Sequence, residues 1–217
     1  MTKKLFLLQF FLILAIFVFP PIFVGEGAVE AINLGKFNYF SLLSFACALF
    51  LSLQREKTEN SADFGGNRLI KAAIFSSCFL TAFGALLIAG ILFNFLAEAL
   101  GSAAIEKAIK PTGLAQILIC GFSLFSSAFF EECLYRRYLP EAAKKILGEK
   151  KAALYFYEIA AILLFAFAHR WQGSLAVLNA LLGGTILRLC ALKSKSLVPG
   201  IAAHFLYNLC ALLAALA

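Results

Sequence analysis

Apolar windows of about 17–25 residues recur along this chain, and no other feature limits its fold so strongly. A window of that length crosses a bilayer's hydrocarbon core as a helix, and lipid-exposed backbone must satisfy its own hydrogen bonds there. Seven windows stand out, at roughly 5–24, 37–53, 69–93, 114–139, 153–169, 174–192 and 196–216. With 62% hydrophobic residues, 14% charged residues and a mean hydropathy of +0.90, the 217-residue chain lies outside the soluble range. The expected fold is all-α, a polytopic transmembrane helical bundle of about seven spans; an eighth span or a re-entrant piece would change only the side of the C-terminus. Residues 1–113 supply the first three spans and an outer-surface segment, and residues 114–217 a four-helix core integrated into the same membrane domain.

The formal charge of +7 does not point to nucleic acid, because the lysines and arginines sit between apolar runs and not along one soluble face. They report topology. With Met1 cytoplasmic, all but four of the 19 basic residues fall in cytoplasmic segments, leaving Lys36, Lys107, Lys110 and Arg170 on the other side. The expected setting is a multi-pass protein of the cell membrane with its N-terminus in the cytoplasm. Lys3-Lys4 followed by an apolar core and small residues near Gly25 and Gly27 outlines a signal peptide, but the run continues to Val24 and a retained helix kinked at Pro20-Pro21 is preferred. Gln54–Asn67 reads as a mobile polar loop, and Asn94–Pro111 as a segment with a short interfacial helix. The six cysteines lie in or beside apolar runs with no CxxC spacing, so no disulfide framework or zinc finger follows. Gly84, Gly90, Gly121, Gly183 and Gly184 suit close helix contact.

Against this background, Phe129-Phe130-Glu131-Glu132-Cys133-Leu134-Tyr135-Arg136 puts two adjacent carboxylates at the end of an apolar run. An ionisable group inside a bilayer costs at least about 2.5–3.5 kcal/mol, so such residues face a wet cavity, carry a partner and mark a functional site. Adjacent residues on an α-helix point about 100° apart, so Glu131 and Glu132 should have different targets. Glu132 and Arg136, at i and i+4, form the favoured helical ion pair, which leaves Glu131 free for chemistry. Read alone, the two glutamates also suit a helix end at the headgroups. Both histidines lie in other apolar stretches. His169 follows Phe165 by four residues, so ring and imidazole share a face; alone it equally suits an interfacial belt with Arg170 and Trp171. His204 and Asn208 share a face in the same way, two donors suited to an oxyanion or to an interhelical hydrogen bond.

The order EExxxR, FxxxH and HxxxN on three separate apolar helices resembles the CPBP family, also called the Abi family, of intramembrane proteases, which includes the CAAX prenyl endopeptidases. The match covers about residues 114–216, and departs from the pattern where Arg137 replaces a small residue often found after the arginine. The resemblance implies a glutamate-dependent endopeptidase whose catalytic core is the C-terminal four helices. Glu131 and His169 would hold and activate a water, His204 and Asn208 would stabilise the tetrahedral oxyanion, and Glu132, Arg136 and Phe165 would orient them. It also implies a membrane-associated peptide or protein substrate and no cofactor beyond the catalytic water; family members also act as immunity or regulatory proteins, so binding a peptide or partner without cleavage is the alternative. A haem or zinc site built on the two histidines lacks HExxH or any one-helix ligand spacing, and a proton-coupled transporter would need inverted repeats that are not seen.

Depth is the obstacle to a single site. At a rise of about 1.5 Å per residue from the expected cytoplasmic edges, Glu131 and His204 lie about 12 and 10 Å deep but His169 about 24 Å. A span beginning after Glu158 would bring His169 to about 16 Å, and Arg170–Gly173 would then have to be a break between helices lining a cavity.

Overall fold

A computed structural model describes residues 2–25, 31–33, 35–54, 68–101 and 107–216, and the structural statements below concern these residues. Seven helices follow the seven apolar windows: α1 (Lys3–Phe23), α2 (Tyr39–Leu53), α3 (Arg68–Ala99), α4 (Leu114–Leu147), α5 (Lys151–Phe167), α6 (Ser174–Ser194) and α7 (Val198–Ala215). The bundle is all-helical except for a two-residue parallel bridge between Ala31–Ile32 and Lys107–Ala108. By length and composition α1, α3, α4, α6 and α7 are able to cross a membrane, whereas α2 is apolar but shorter. Short connections force antiparallel neighbours. The α6–α7 reversal needs only three residues because Lys195 adopts a left-handed conformation, φ 51°.

Two of the helices contain a wide turn, and proline explains both. Proline has no N–H to donate four residues back, and its ring crowds that carbonyl. In α1 the backbone widens over Leu14–Val18, with the Phe19 N–H reaching back five residues to Leu14, and Pro20-Pro21 then fall in the first turn of the segment that follows. The kink expected from this pair is thus absorbed by a π turn. In α4 the same occurs over Glu132–Tyr138, where the Leu139 N–H reaches Leu134 and Pro140 follows.

α4 organises the molecule. Its first half packs on α2 and α7, and its wide turn meets α2, α5 and α6. The larger core joins Ile13, Phe17 and Val18 of α1 to Phe130, Leu134 and Tyr138 of α4 and to Phe165 of α5. A smaller core locks α3 against α6 and α7 through Cys78, Ala82, Leu86, Leu187 and Ala203.

Two expectations are corrected. Asn94–Pro111 holds no separate interfacial helix among its described residues: α3 runs on to Ala99, since Phe95, Leu96 and Ala97 extend its apolar surface, and Lys107–Ala108 pair with Ala31–Ile32. Of the five glycines expected at close contacts, Gly90, Gly183 and Gly184 meet neighbouring side chains, but Gly84 and Gly121 face open space. Beyond Gln54, the expected mobile loop lies outside the described residues.

Candidate active site

The wide turn in α4 brings its charged residues inward. Glu132 is 0% exposed and Arg136 1%, a degree of burial reached by few charged side chains without a partner. Their ion pair forms as the i, i+4 spacing predicts, with Arg136 Nε 3.5 Å from Glu132 Oε2. The guanidinium lies over the Phe165 ring, 3.9 Å from its centroid, so α5 supplies a π face for the buried cation. Small residues make room for this packing. A Cβ at Gly200 of α7 would stand 3.3 Å from Glu132 Oε2, and one at Gly184 of α6 would stand 3.0 Å from the Phe165 ring.

His204 lies between the two glutamates. Its Nδ1 is 3.0 Å from Glu132 Oε1, and its Nε2 is 3.7 Å from Glu131 Oε2. The expectation that adjacent glutamates have separate targets is therefore overturned: one imidazole meets both through its opposite nitrogens. Two causes combine. Glu132 opens the π turn, whose wider winding narrows the angle between successive side chains, and an imidazole carries polar atoms on two edges. With Glu132 ionised and accepting from Nδ1–H, only Nε2 of His204 is left to face a reacting group.

Glu131 is held from its own helix. Ser127 Oγ–H donates to Glu131 Oε1 at 2.6 Å, one turn earlier, while the buried Oε2 has no hydrogen bond among the described residues. His169 sits where α5 ends. Its Nδ1–H donates to the Phe165 carbonyl at 2.8 Å, and because a carbonyl only accepts, the neutral ring carries its lone pair on Nε2. The chain then makes a single 3₁₀ turn, Arg170–Gln172, and reverses at Gly173, φ 101°, into α6. This is the break between helices that the depth argument requires.

Phe165 touches both imidazoles, with centroids 4.7 Å from His169 and 6.1 Å from His204. Glu131, Glu132, Arg136, Phe165, His169 and His204 are therefore brought to one place from α4, α5 and α7. Asn208 stands one turn beyond His204 on α7, half-buried and without a hydrogen bond among the described residues. Among the described residues, no three His, Cys, Asp or Glu side chains are arranged as ligands for a metal ion.

Sequence reasoning missed Ser127 and a second ion pair. Arg188 of α6 binds the Glu158 carboxylate of α5 and donates to the Arg136 backbone carbonyl. Pro140 is the available signal: four residues after Arg136, it leaves that carbonyl without its usual helical donor. Ser127 carried only the i, i+4 spacing to Glu131, which any helical serine can have.

Helices of membrane-crossing length closed around a buried carboxylate, Glu132, and a buried imidazole, His204, define a polytopic membrane protein with an internal polar site. The matched segment falls on this site: residues 113–210 are similar to the sequence model of the family described as type II CAAX prenyl endopeptidase Rce1-like. The match spans Glu131, His169, His204 and Asn208. Comparisons with curated proteins and with solved structures gave no match.

Proposed function

We propose that this chain is a glutamic intramembrane endopeptidase that hydrolyses a peptide bond in a membrane-associated peptide or protein. The observation that supports it most is the state of Glu131: one oxygen held by Ser127, the other buried, unbonded and facing His204 Nε2. A positioned carboxylate with one free oxygen is the geometry a general base needs.

In this reading a water sits between Glu131 Oε2 and the lone pair on His169 Nε2. Glu131 takes its proton as the oxygen attacks the scissile carbonyl carbon. The C–O bond forms, the carbonyl π pair moves onto oxygen, and the oxyanion is met by Nε2–H of a protonated His204 and by the Asn208 amide. Collapse of the tetrahedral intermediate breaks the C–N bond, and the proton on Glu131 passes to the departing amine. Glu132 and Arg136 orient His204 and the turn that follows Glu131; Phe165 supports both imidazoles. No cofactor beyond water takes part. The N-terminus lies in the cytoplasm of a cell-membrane protein, a reading supported by the basic residues at the ends of the apolar runs.

Mass spectrometry of membrane peptides from cells carrying wild type or Glu131→Gln tests the proposal. Fragments present only with wild type are expected. Identical peptide sets would remove Glu131 as the base and favour a protein that binds a membrane partner without cutting it.

A further inference from the structure

We propose that Arg188, gripping Glu158 with one arm and the Arg136 carbonyl with the other, is the positioning residue that sets the register of the wide turn that Glu132 opens directly after Glu131. The proposal rests on the hydrolase reading, and its contacts stand apart from the catalytic residues.

The argument begins at Pro140. Because it has no N–H, the α-helical bond that residue 140 would give to the Arg136 carbonyl cannot form, and Arg136 is buried. A buried acceptor left without a donor is destabilising, which favours any donor that can reach it. One Arg188 nitrogen does so from α6, and the other binds Glu158 of α5. Guanidinium suits this task because its fork is planar and its two outer nitrogens are fixed relative to each other. Arg188 is 16% exposed and Glu158 32%, so the pair stands nearer to water than Arg136 and Glu132 while remaining partly desolvated.

The consequence is geometric. Residues of a wide turn can rewind between i→i+5 and tighter bonding, and each change rotates the side chains it carries. Glu132 opens the turn and Arg136 lies within it, so a fixed Arg136 carbonyl holds Glu132 against His204 and Glu131 beside it. Charge favours the same arrangement. Arg136 is paired with Glu132 and Arg188 with Glu158, which leaves Glu131 as the carboxylate of the cluster without an arginine. α5 and α6, which carry neither glutamate, thereby govern the carboxylates of α4. Such a clamp acts on the rate, since a displacement of about 1 Å at reacting groups can cost about 100-fold.

The test uses the full chain in lipid nanodiscs and the variants Arg188→Lys, which keeps the charge but loses the fork, and Glu158→Gln. Cleavage is read on an internally quenched farnesylated peptide with a CAAX terminus. Because the chain has only two histidines, ¹⁵N-histidine labelling reads each imidazole separately, with His169→Gln for assignment. Arg188→Lys is expected to lower kcat about tenfold or more with KM within about twofold. The His204 Nδ1 signal should move, His169 should stay, and the unfolding midpoint should change little. Glu158→Gln should move kcat and the His204 signal in the same direction by less. An unchanged kcat and His204 signal in both variants overturns the clamp, and so does a loss of activity accompanied by unfolding and a shift of both imidazoles. If wild type cleaves no better than Glu131→Gln, the hydrolase reading fails for this probe and the histidine signals alone decide: a His204 shift supports the clamp, and no shift overturns it.

Discussion

His204 Nδ1 lies 3.0 Å from Glu132 Oε1, while the opposite nitrogen of the same ring faces Glu131 at 3.7 Å. This relationship separates the glutamates by role although they are adjacent in sequence. Glu132 is enclosed, with Oε1 beside His204 and Oε2 ion-paired with Arg136 at 3.5 Å; Glu131 has no arginine partner, and its buried Oε2 faces only the imidazole edge.

The first prediction follows from that difference. Glu132→Ala strands Arg136 as a buried cation with only the Phe165 face beside it, and breaking a buried pair by removing one partner costs about 3–5 kcal/mol. Glu131→Gln removes a charge and strands nothing. In detergent, the Glu132→Ala unfolding midpoint should fall steeply and Glu131→Gln should match wild type, with cleavage lost in both. Equal midpoints would show that the Glu132–Arg136 pair does not hold the fold.

Ser127 offers a finer test of the proposed base. Its hydroxyl holds one oxygen of Glu131, and a hydrogen bond to a charged group contributes about 1.5–3 kcal/mol. Ser127→Ala should therefore lower kcat about tenfold or more, and Ser127→Thr, which keeps the hydroxyl, should restore much of it. Equal rates for wild type and Ser127→Ala would mean that Glu131 is positioned by something else.

How much of this could be read in the residues depends on the range over which each signal acts. The seven helices were legible because lipid imposes a minimum apolar length, and the Glu132–Arg136 pair because i, i+4 spacing survives even where the helix widens. His204 contacting both glutamates was not, since it depends on a π turn in α4 and on where α7 passes it. Pro140 did announce a disturbed helix, but not that an arginine 48 residues after it would answer the freed carbonyl. The break at Arg170–Gly173 was legible from the gap between two apolar windows and from the depth argument, though its 3₁₀ turn and the positive φ of Gly173 were not.

Phe165 should be intolerant of shortening. It carries Arg136 on its face, packs edge-on to Tyr135 at 5.3 Å and supports both imidazoles. A desolvated cation–π contact contributes about 2 kcal/mol, and truncating a buried Phe to Ala costs about 3–5 kcal/mol. Phe165→Ala should lose stability and cleavage together, whereas Phe165→Tyr should keep the face under Arg136. Thermal unfolding of the two variants side by side measures the difference. A Phe165→Ala midpoint at the wild-type value would deny the ring its structural part.

Gly90 tests whether the far side of α7 matters to the site. A Cβ built there stands 2.8 Å from the Tyr207 hydroxyl and 2.9 Å from its ring, too close for either to stay. Tyr207 precedes Asn208, and its hydroxyl accepts a hydrogen bond from Asn179 of α6 at 2.9 Å. Gly90→Ala must therefore push the ring away, break the Asn179 contact and disturb α7 beside the proposed oxyanion donor; overpacking of this kind costs about 1–3 kcal/mol. Tyr207→Leu removes the obstructing ring and loses the hydrogen bond by itself. The two changes should be strongly non-additive, with Gly90→Ala costing little stability once Tyr207 is Leu. A cycle of unfolding midpoints and cleavage rates over wild type, both single variants and the double variant measures that coupling, and additive costs would show that α3 does not hold α7 through this contact.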